Sequence, residues 1–247
     1  MKSLRQYWAL VQFWLAVVLR LRAGWVIVAL AVALVAGGAL MCQLHFGTAE
    51  AGFLVDYAAG VLASGGAVFA ALVGPGIFFE GLRTRTTMVV LLHGVRRSEL
   101  VAAQVAATIV ALGWLALLCA VAAVALFHGL GHGAFAAEVV RALARALGPL
   151  LVVGAAGVFF ATLARSALLA TTLTLALALA GHLAVVIAHA AERASVAGQI
   201  VWWALGACVP RFAIADNAPA ALAVAYFGGY ALLYTGLGAW VFSRCEL

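Results

Sequence analysis

Residues 80–104 read EGLRTRTTMVVLLHGVRRSELVAAQ, a charged island between two long apolar runs. The island holds Glu80, Arg83, Arg85, Arg96, Arg97 and Glu99, in a 247-residue chain with only fourteen basic and eight acidic residues. That density of charge has to sit in water, so the apolar runs on either side must stop at its edges. Within it, Met88, Leu91 and Leu92 are spaced to make one apolar face on an otherwise polar short helix. Such a helix fits a groove on a partner protein. The same residues also suit a plain basic loop on the cytoplasmic side of a membrane.

Composition supplies the surroundings of the island. Hydrophobic residues make up 68% of the chain and charged residues 9%, against roughly 25% charged in a soluble domain. The mean hydropathy is +1.19. These values predict an all-α integral membrane protein. About 20 helical residues cross a ~30 Å hydrocarbon core, and six runs are long enough, near 24–43, 55–79, 99–127, 146–164, 166–190 and 220–242. In the second, Gly74-Pro75-Gly76 predicts a kink, because proline lacks one backbone donor and crowds the preceding turn. Ser98 and Glu99 suit the start of the third, Ser98 as N-cap and Glu99 against the positive end of the helix dipole. Asn217 and Pro219 mark the start of the sixth.

Before the first span, Lys2, Arg5, Gln6, Ala9, Gln12, Ala16 and Arg20 fall on one helical arc. Leu4, Tyr7, Trp8, Val11, Trp14, Leu15 and Val18 face the other way. A basic stripe opposite a Trp- and Leu-rich face predicts that residues 1–22 form a helix lying in the membrane interface. The basic segment is too long for the start of a cleaved signal peptide. Placing both termini in the cytoplasm puts ten of the fourteen basic residues inside, which fixes the expected orientation. The stretch 191–218 is too long for a turn and too apolar for a free loop. It is expected to form a short outer helical segment, re-entrant or capping, between the fifth and sixth spans.

The single lysine is Lys2, so this chain contains no phosphate-cradling Walker A loop, whose lysine directly precedes Ser or Thr. No catalytic motif of the Ser-His-Asp, HExxH or paired-carboxylate kind falls in the spans, so no enzymatic role is expected. Cys42, Cys119, Cys208 and Cys245 lie singly, without disulfide-framework or zinc-ligand spacing. His45, His128, His132, His182 and His189 fall on the outer half in the expected orientation. His128 with His132, or His189 with Glu192, has a spacing that could place two metal ligands on one helical face. Gln104 and His182 are intramembrane polar residues, suited to a translocation path or to a contact between subunits. Thr174 and Ala178 lead toward His182 as a line of small residues, and Ala176, Ala180 and Ala184 offer a second face for close helix approach. Asp56 is expected at the hydrated outer interface.

The order Glu80, Thr86, Leu91, Leu92, Val95, Arg97, Ser98, Glu99 and then the polar Gln104 resembles the loop between the second and third membrane helices of ABC-2-type transporter permeases. There the run reads roughly glutamate, a threonine-leucine turn, two leucines, Pro-Val-x-Arg-x-Glu and, five residues on, Gly-Lys. Gly94 stands in the place of that proline and Ala103-Gln104 in the place of Gly-Lys. Residues 241–247, VFSRCEL, are similar to the Phe-x-Arg-x-acid-apolar ending of the same permeases. The resemblance implies a permease subunit that moves a substrate across or out of the bacterial inner membrane. It implies a separate cytoplasmic ATPase, present in two copies and carrying the ATP and magnesium, with no cofactor in this chain. A second permease subunit, giving a homodimer, follows as well, with no nucleic-acid partner. The residues it would assign to ATPase coupling are Glu80, Arg83, Arg85, Leu91, Leu92, Arg96, Arg97 and Glu99, within an 80–98 coupling segment. A different class stays open, a haem- or metal-handling membrane protein that uses the outer histidines and no ATPase.

Overall fold

In the computed structural model, residues 2–20, 23–43, 50–186, 189 and 209–244 are described. Their helices are α1 (Lys2–Arg20), α2 (Ala23–Cys42), α3 (Glu50–Arg83), α4 (Thr86–Leu92) and α5 (Arg97–Gly129). A single 3-10 turn (Gly133–Phe135) leads into α6 (Ala136–Leu163), followed by α7 (Ala167–His182), α8 (Ile214–Asn217) and α9 (Ala220–Arg244). No strand occurs among the described residues.

Among the described residues, four helical stretches are long and apolar enough to cross a membrane: Ala51–Arg83, Arg97–Gly129, Gly133–Leu163 and Ala220–Arg244. They contain the expected second, third and sixth runs and all but the last residue of the fourth, with different ends. The helix around the fourth run begins at Ala136, ten residues before the expected start, which puts Arg141 and Arg145 on helix rather than in a loop. The second run lies in a helix of 34 residues, about 51 Å at 1.5 Å per residue, that continues through Pro75. The first expected run corresponds to α2, whose axis is turned 66° from that of α1. The fifth, expected over 166–190, is shorter. The helix α7 has 16 residues, about 24 Å, and ends at His182 with Leu183 as C-cap. Of the outer segment 191–218, residues 191–208 lie outside the described residues, as do Glu192 and Cys208; Ile214–Asn217 is the short helix α8.

Small residues set the centre of the bundle. A Cβ placed on Gly74 of α3 would lie 3.2 Å from the carbonyl carbon of Gly157 and from the nitrogen of Val158 on α6. One on Gly157 would lie 3.2 Å from the Cδ of Pro75 and 3.4 Å from the Cγ2 of Thr174 on α7. The backbones of α3 and α6 therefore touch, which only glycine allows at these positions. This is the packing by small residues that serves helices in lipid, where dispersion contacts rather than hydrophobic burial hold neighbours together. The line Ala170, Thr174, Leu177, Ala178 and Gly181 is the buried face of α7, so the small residues leading to His182 are used inside the chain. Of the alternative face, Ala176 is exposed and Ala184 buried. The buried hydroxyls are satisfied within their own helices: Thr108 donates to the Gln104 carbonyl at 2.9 Å and Thr174 to the Ala170 carbonyl at 2.7 Å.

Candidate functional site

The charged island folds as a hairpin of short elements at the joint of α3 and α5. Its first part is the end of α3, where Arg83 grips Glu80 through two bonds, Nε to Oε2 at 2.9 Å and Nη2 to Oε1 at 2.8 Å. The Glu80 carbonyl takes both the backbone N–H of Thr84, at 2.9 Å, and its hydroxyl, at 2.8 Å, closing the last turn. Arg85 then adopts φ 56°, ψ 11°, and is the only non-glycine residue with positive φ among those described. A single left-handed residue reverses the chain so that α4 can start at once.

The seven residues of α4 divide into an inner and an outer face. Thr87 is buried against the end of α3. A Cβ on Gly81 would meet the Thr87 Oγ1 at 2.7 Å and the Cη2 of Trp14 at 2.6 Å, so the indole of α1 is wedged over the joint of α3 and α4. Val90, Leu91 and Val95 pack on the core. Met88 and Val89 stay exposed, and Leu92 is 85% exposed. The apolar face expected from Met88, Leu91 and Leu92 is therefore split, Leu91 facing in and the other two out. The helix ends where His93 Nδ1 reaches back to the Val89 carbonyl at 2.7 Å and Gly94 turns left-handed at φ +81°. Proline, with φ fixed near −65°, does not fit position 94, so the glycine there is a requirement of this turn.

At the start of α5 the cap differs from expectation. Arg96 is the N-cap, extended at φ −72°, ψ 147°, and helix begins at Arg97 rather than after Ser98. The Glu99 carboxylate accepts from the Arg96 backbone N–H at 3.1 Å, which satisfies one free donor of the helix end. Arg97 turns away from the island. Its Nη1 donates to the carbonyls of Phe242, at 3.2 Å, and Ser243, at 3.3 Å, in the last turn of α9. Arg85 and Arg96 remain exposed beside α4, and Arg83, although paired, is 78% exposed at its side chain. Between α1 and α4 runs a groove of about 570 Å³, walled by Tyr7, Leu10 and Phe13 on one side and Val89, Val90 and Val95 on the other. The Tyr7 hydroxyl donates to the Ala102 carbonyl at 3.2 Å and fastens α1 to α5. The apolar arc of α1 is thus largely spent on protein: Val11, Trp14 and Val18 are buried. Trp8 of the same arc stays exposed.

The other candidate residues lie apart. Gln104 is fully buried, and neither its Oε1 nor its Nε2 has a hydrogen-bond partner among the described residues. It faces the inside of this chain. His182, at the far end of α7, is exposed and meets the ring of Phe212 edge-on at 5.1 Å between centroids. His128 and His132 flank the C-terminal end of α5, and His189 is exposed with Nδ1 2.8 Å from the Val185 carbonyl. Among the described residues, no three of His, Cys, Asp and Glu come together in a way that would hold a metal ion.

The sequence reading missed the wedge of Trp14 over Gly81 and the grip of Arg97 on α9. The first left a faint trace, a glycine directly after Glu80 and a tryptophan on the apolar arc of α1; the second left none, because its acceptors are backbone carbonyls 145 and 146 residues away. The chain matches no protein-family model and no curated protein.

Proposed function

We propose that this chain is the membrane subunit of an ATP-driven transporter resembling the ABC-2 type, and that a separate cytoplasmic ATPase docks on α4. The observation that carries the reading is the outer face of α4, Met88, Val89 and Leu92, exposed on a helix bracketed by Arg83, Arg85 and Arg96. So many charges keep α4 out of hydrocarbon, and a buried leucine is worth about 1.5–3 kcal/mol over an exposed one. An apolar face held in water beside the membrane is stabilised by a partner's groove. With no Walker A loop in the chain, the nucleotide chemistry belongs to that partner, along with its magnesium.

In this reading the chain crosses the bacterial inner membrane six times, with α2 and α7 as the additional crossings, α1 in the interface and both termini cytoplasmic. Two copies pair around a path for the substrate, each carrying one ATPase. Docking moves α3, against which α4 packs, and α5, which follows it in sequence. Co-expression with a soluble Walker A ATPase, sought first in the neighbouring reading frames, followed by purification through a tag on this chain, tests the proposal. The expected result is co-purification of that ATPase, reduced at least tenfold by Leu92→Asp with Met88→Asp while the membrane subunit still elutes as a single species. Full retention of the ATPase by the double variant would overturn docking through α4. A Soret band in the purified protein would favour the haem-handling alternative instead.

A further inference from the structure

Arg97 occupies an unfavourable place on its own helix. It is the first residue of α5, where the free N–H groups present the positive end of the dipole and a cation is disfavoured. The compensation lies on another helix. Two backbone carbonyls near the end of α9 as described, those of Phe242 and Ser243, accept from Arg97 Nη1, and their partial negative charge offsets the guanidinium. The guanidinium carbon stands 5.8 Å from the centroid of the Phe242 ring, within the range of a cation–π contact. That ring is 1% exposed and meets Phe78 of α3 edge-on, centroids 5.6 Å apart and planes at 78°. Phe78 lies just beyond the Gly74-Pro75 contact with α6. One aromatic side chain of α9 is thereby held by both helices between which α4 hangs.

We infer that Arg97 is a positioning residue, a strut that orders the last turn of α9 and carries displacement of the α4 segment to that helix. The transmission rests on the docking reading above; the strut itself does not. Arg97 is then no part of the docking surface, although its place in the charged island suggested that it was. The two roles predict different things. A docking arginine would tolerate lysine, which keeps the charge, whereas in the strut a single nitrogen, Nη1, meets both carbonyls, and a lysine ammonium ends one bond short of it.

Hydrogen exchange read by mass spectrometry, on the full chain in lipid nanodiscs, tests this with Arg97→Gln and Arg97→Lys beside wild type. Both variants are expected to speed exchange at least tenfold in the amides of 239–244 and to leave α7 unchanged. Unchanged exchange at 239–244 in either variant would overturn the strut, and general acceleration over α3, α6 and α7 would mean that Arg97 merely supports the fold. With the candidate ATPase and a non-hydrolysable ATP analogue added, wild type should change its exchange in both α4 and 239–244. Arg97→Lys should change only in α4. A response at 239–244 that survives in Arg97→Lys would overturn the transmission. If wild type binds no ATPase, the docking proposal falls and the transmission with it, while the result on the chain alone still decides the strut.

Discussion

Replacing Gln104 by methionine should stabilise the protein, which is unusual for a substitution at a fully buried position. The side chain is 0% exposed, and both ends of its amide lack partners among the described residues. An amide buried without its hydrogen bonds costs about 1–3 kcal/mol by mutational measures. Methionine has nearly the same length, is unbranched and flexible, and fills the same space, so the repacking cost stays under about 1.5 kcal/mol. The net expectation is a gain of about 1 kcal/mol. For a chain of this size that is an upward shift of roughly 2–4 °C in the midpoint. The assay is tryptophan emission during heating in detergent, wild type and variant at one scan rate, because unfolding from micelles is governed by a rate. Gln104→Ala, which removes the amide but empties the site, should fall about 2–5 kcal/mol below the methionine variant, as cavity-forming substitutions do. If Gln104→Met lowers the midpoint, the amide is satisfied by a bound water or another polar group, and the reasoning from an orphaned amide is refuted.

Three further outcomes follow from the packing. Gly74→Val, whose side chain would press on the α6 backbone atoms 3.2 Å from a Cβ, should cost about 1–3 kcal/mol and lower the melting midpoint in the same assay. Gly81→Ala sets a methyl 2.6 Å from the Trp14 ring, so it should lift α1 from the α3–α4 joint, seen as faster trypsin cleavage at Arg20 with α5 still protected. Gly94→Pro cannot adopt φ +81° and should reduce the monodisperse fraction on gel filtration; a normal yield would show that the turn after α4 has another form.

Much of the fold was legible because apolar length is a direct readout of what a membrane requires. The runs around 55–79, 99–127 and 220–242 all fall within single long helices. Boundaries were less legible, since polar residues do not end a helix unless they compete for its backbone. Arg141 and Arg145 look like a loop in a hydropathy profile, yet arginine is a good helix former, and α6 runs straight through them. Ser98 looked like an N-cap from its type, but the extended backbone at Arg96 placed the helix start earlier, leaving the Glu99 carboxylate at the right distance to close it.

The candidate site divides along the same line between local pattern and long-range contact. Periodicity identified α4 as amphipathic, since Met88, Leu91 and Leu92 recur at helical spacing, but spacing alone does not say which part of an apolar arc the chain spends on itself. Thr87 rather than a leucine is the most buried residue of α4, because the space under Trp14 and beside Gly81 is small. The width of that space is set by α1, about seventy residues earlier in sequence, so no window around α4 contains it. The consequence reaches the charges too. Six charged residues looked like one docking surface, yet Glu80 is held by Arg83, Glu99 is used as a cap and Arg97 is turned to α9. What faces outward around Met88, Val89 and Leu92 is Arg85 and Arg96, with the Glu80–Arg83 pair and the Glu99 carboxylate beside them. In the docking reading proposed above, a partner groove would be apolar at its floor and acidic where it meets Arg85 and Arg96.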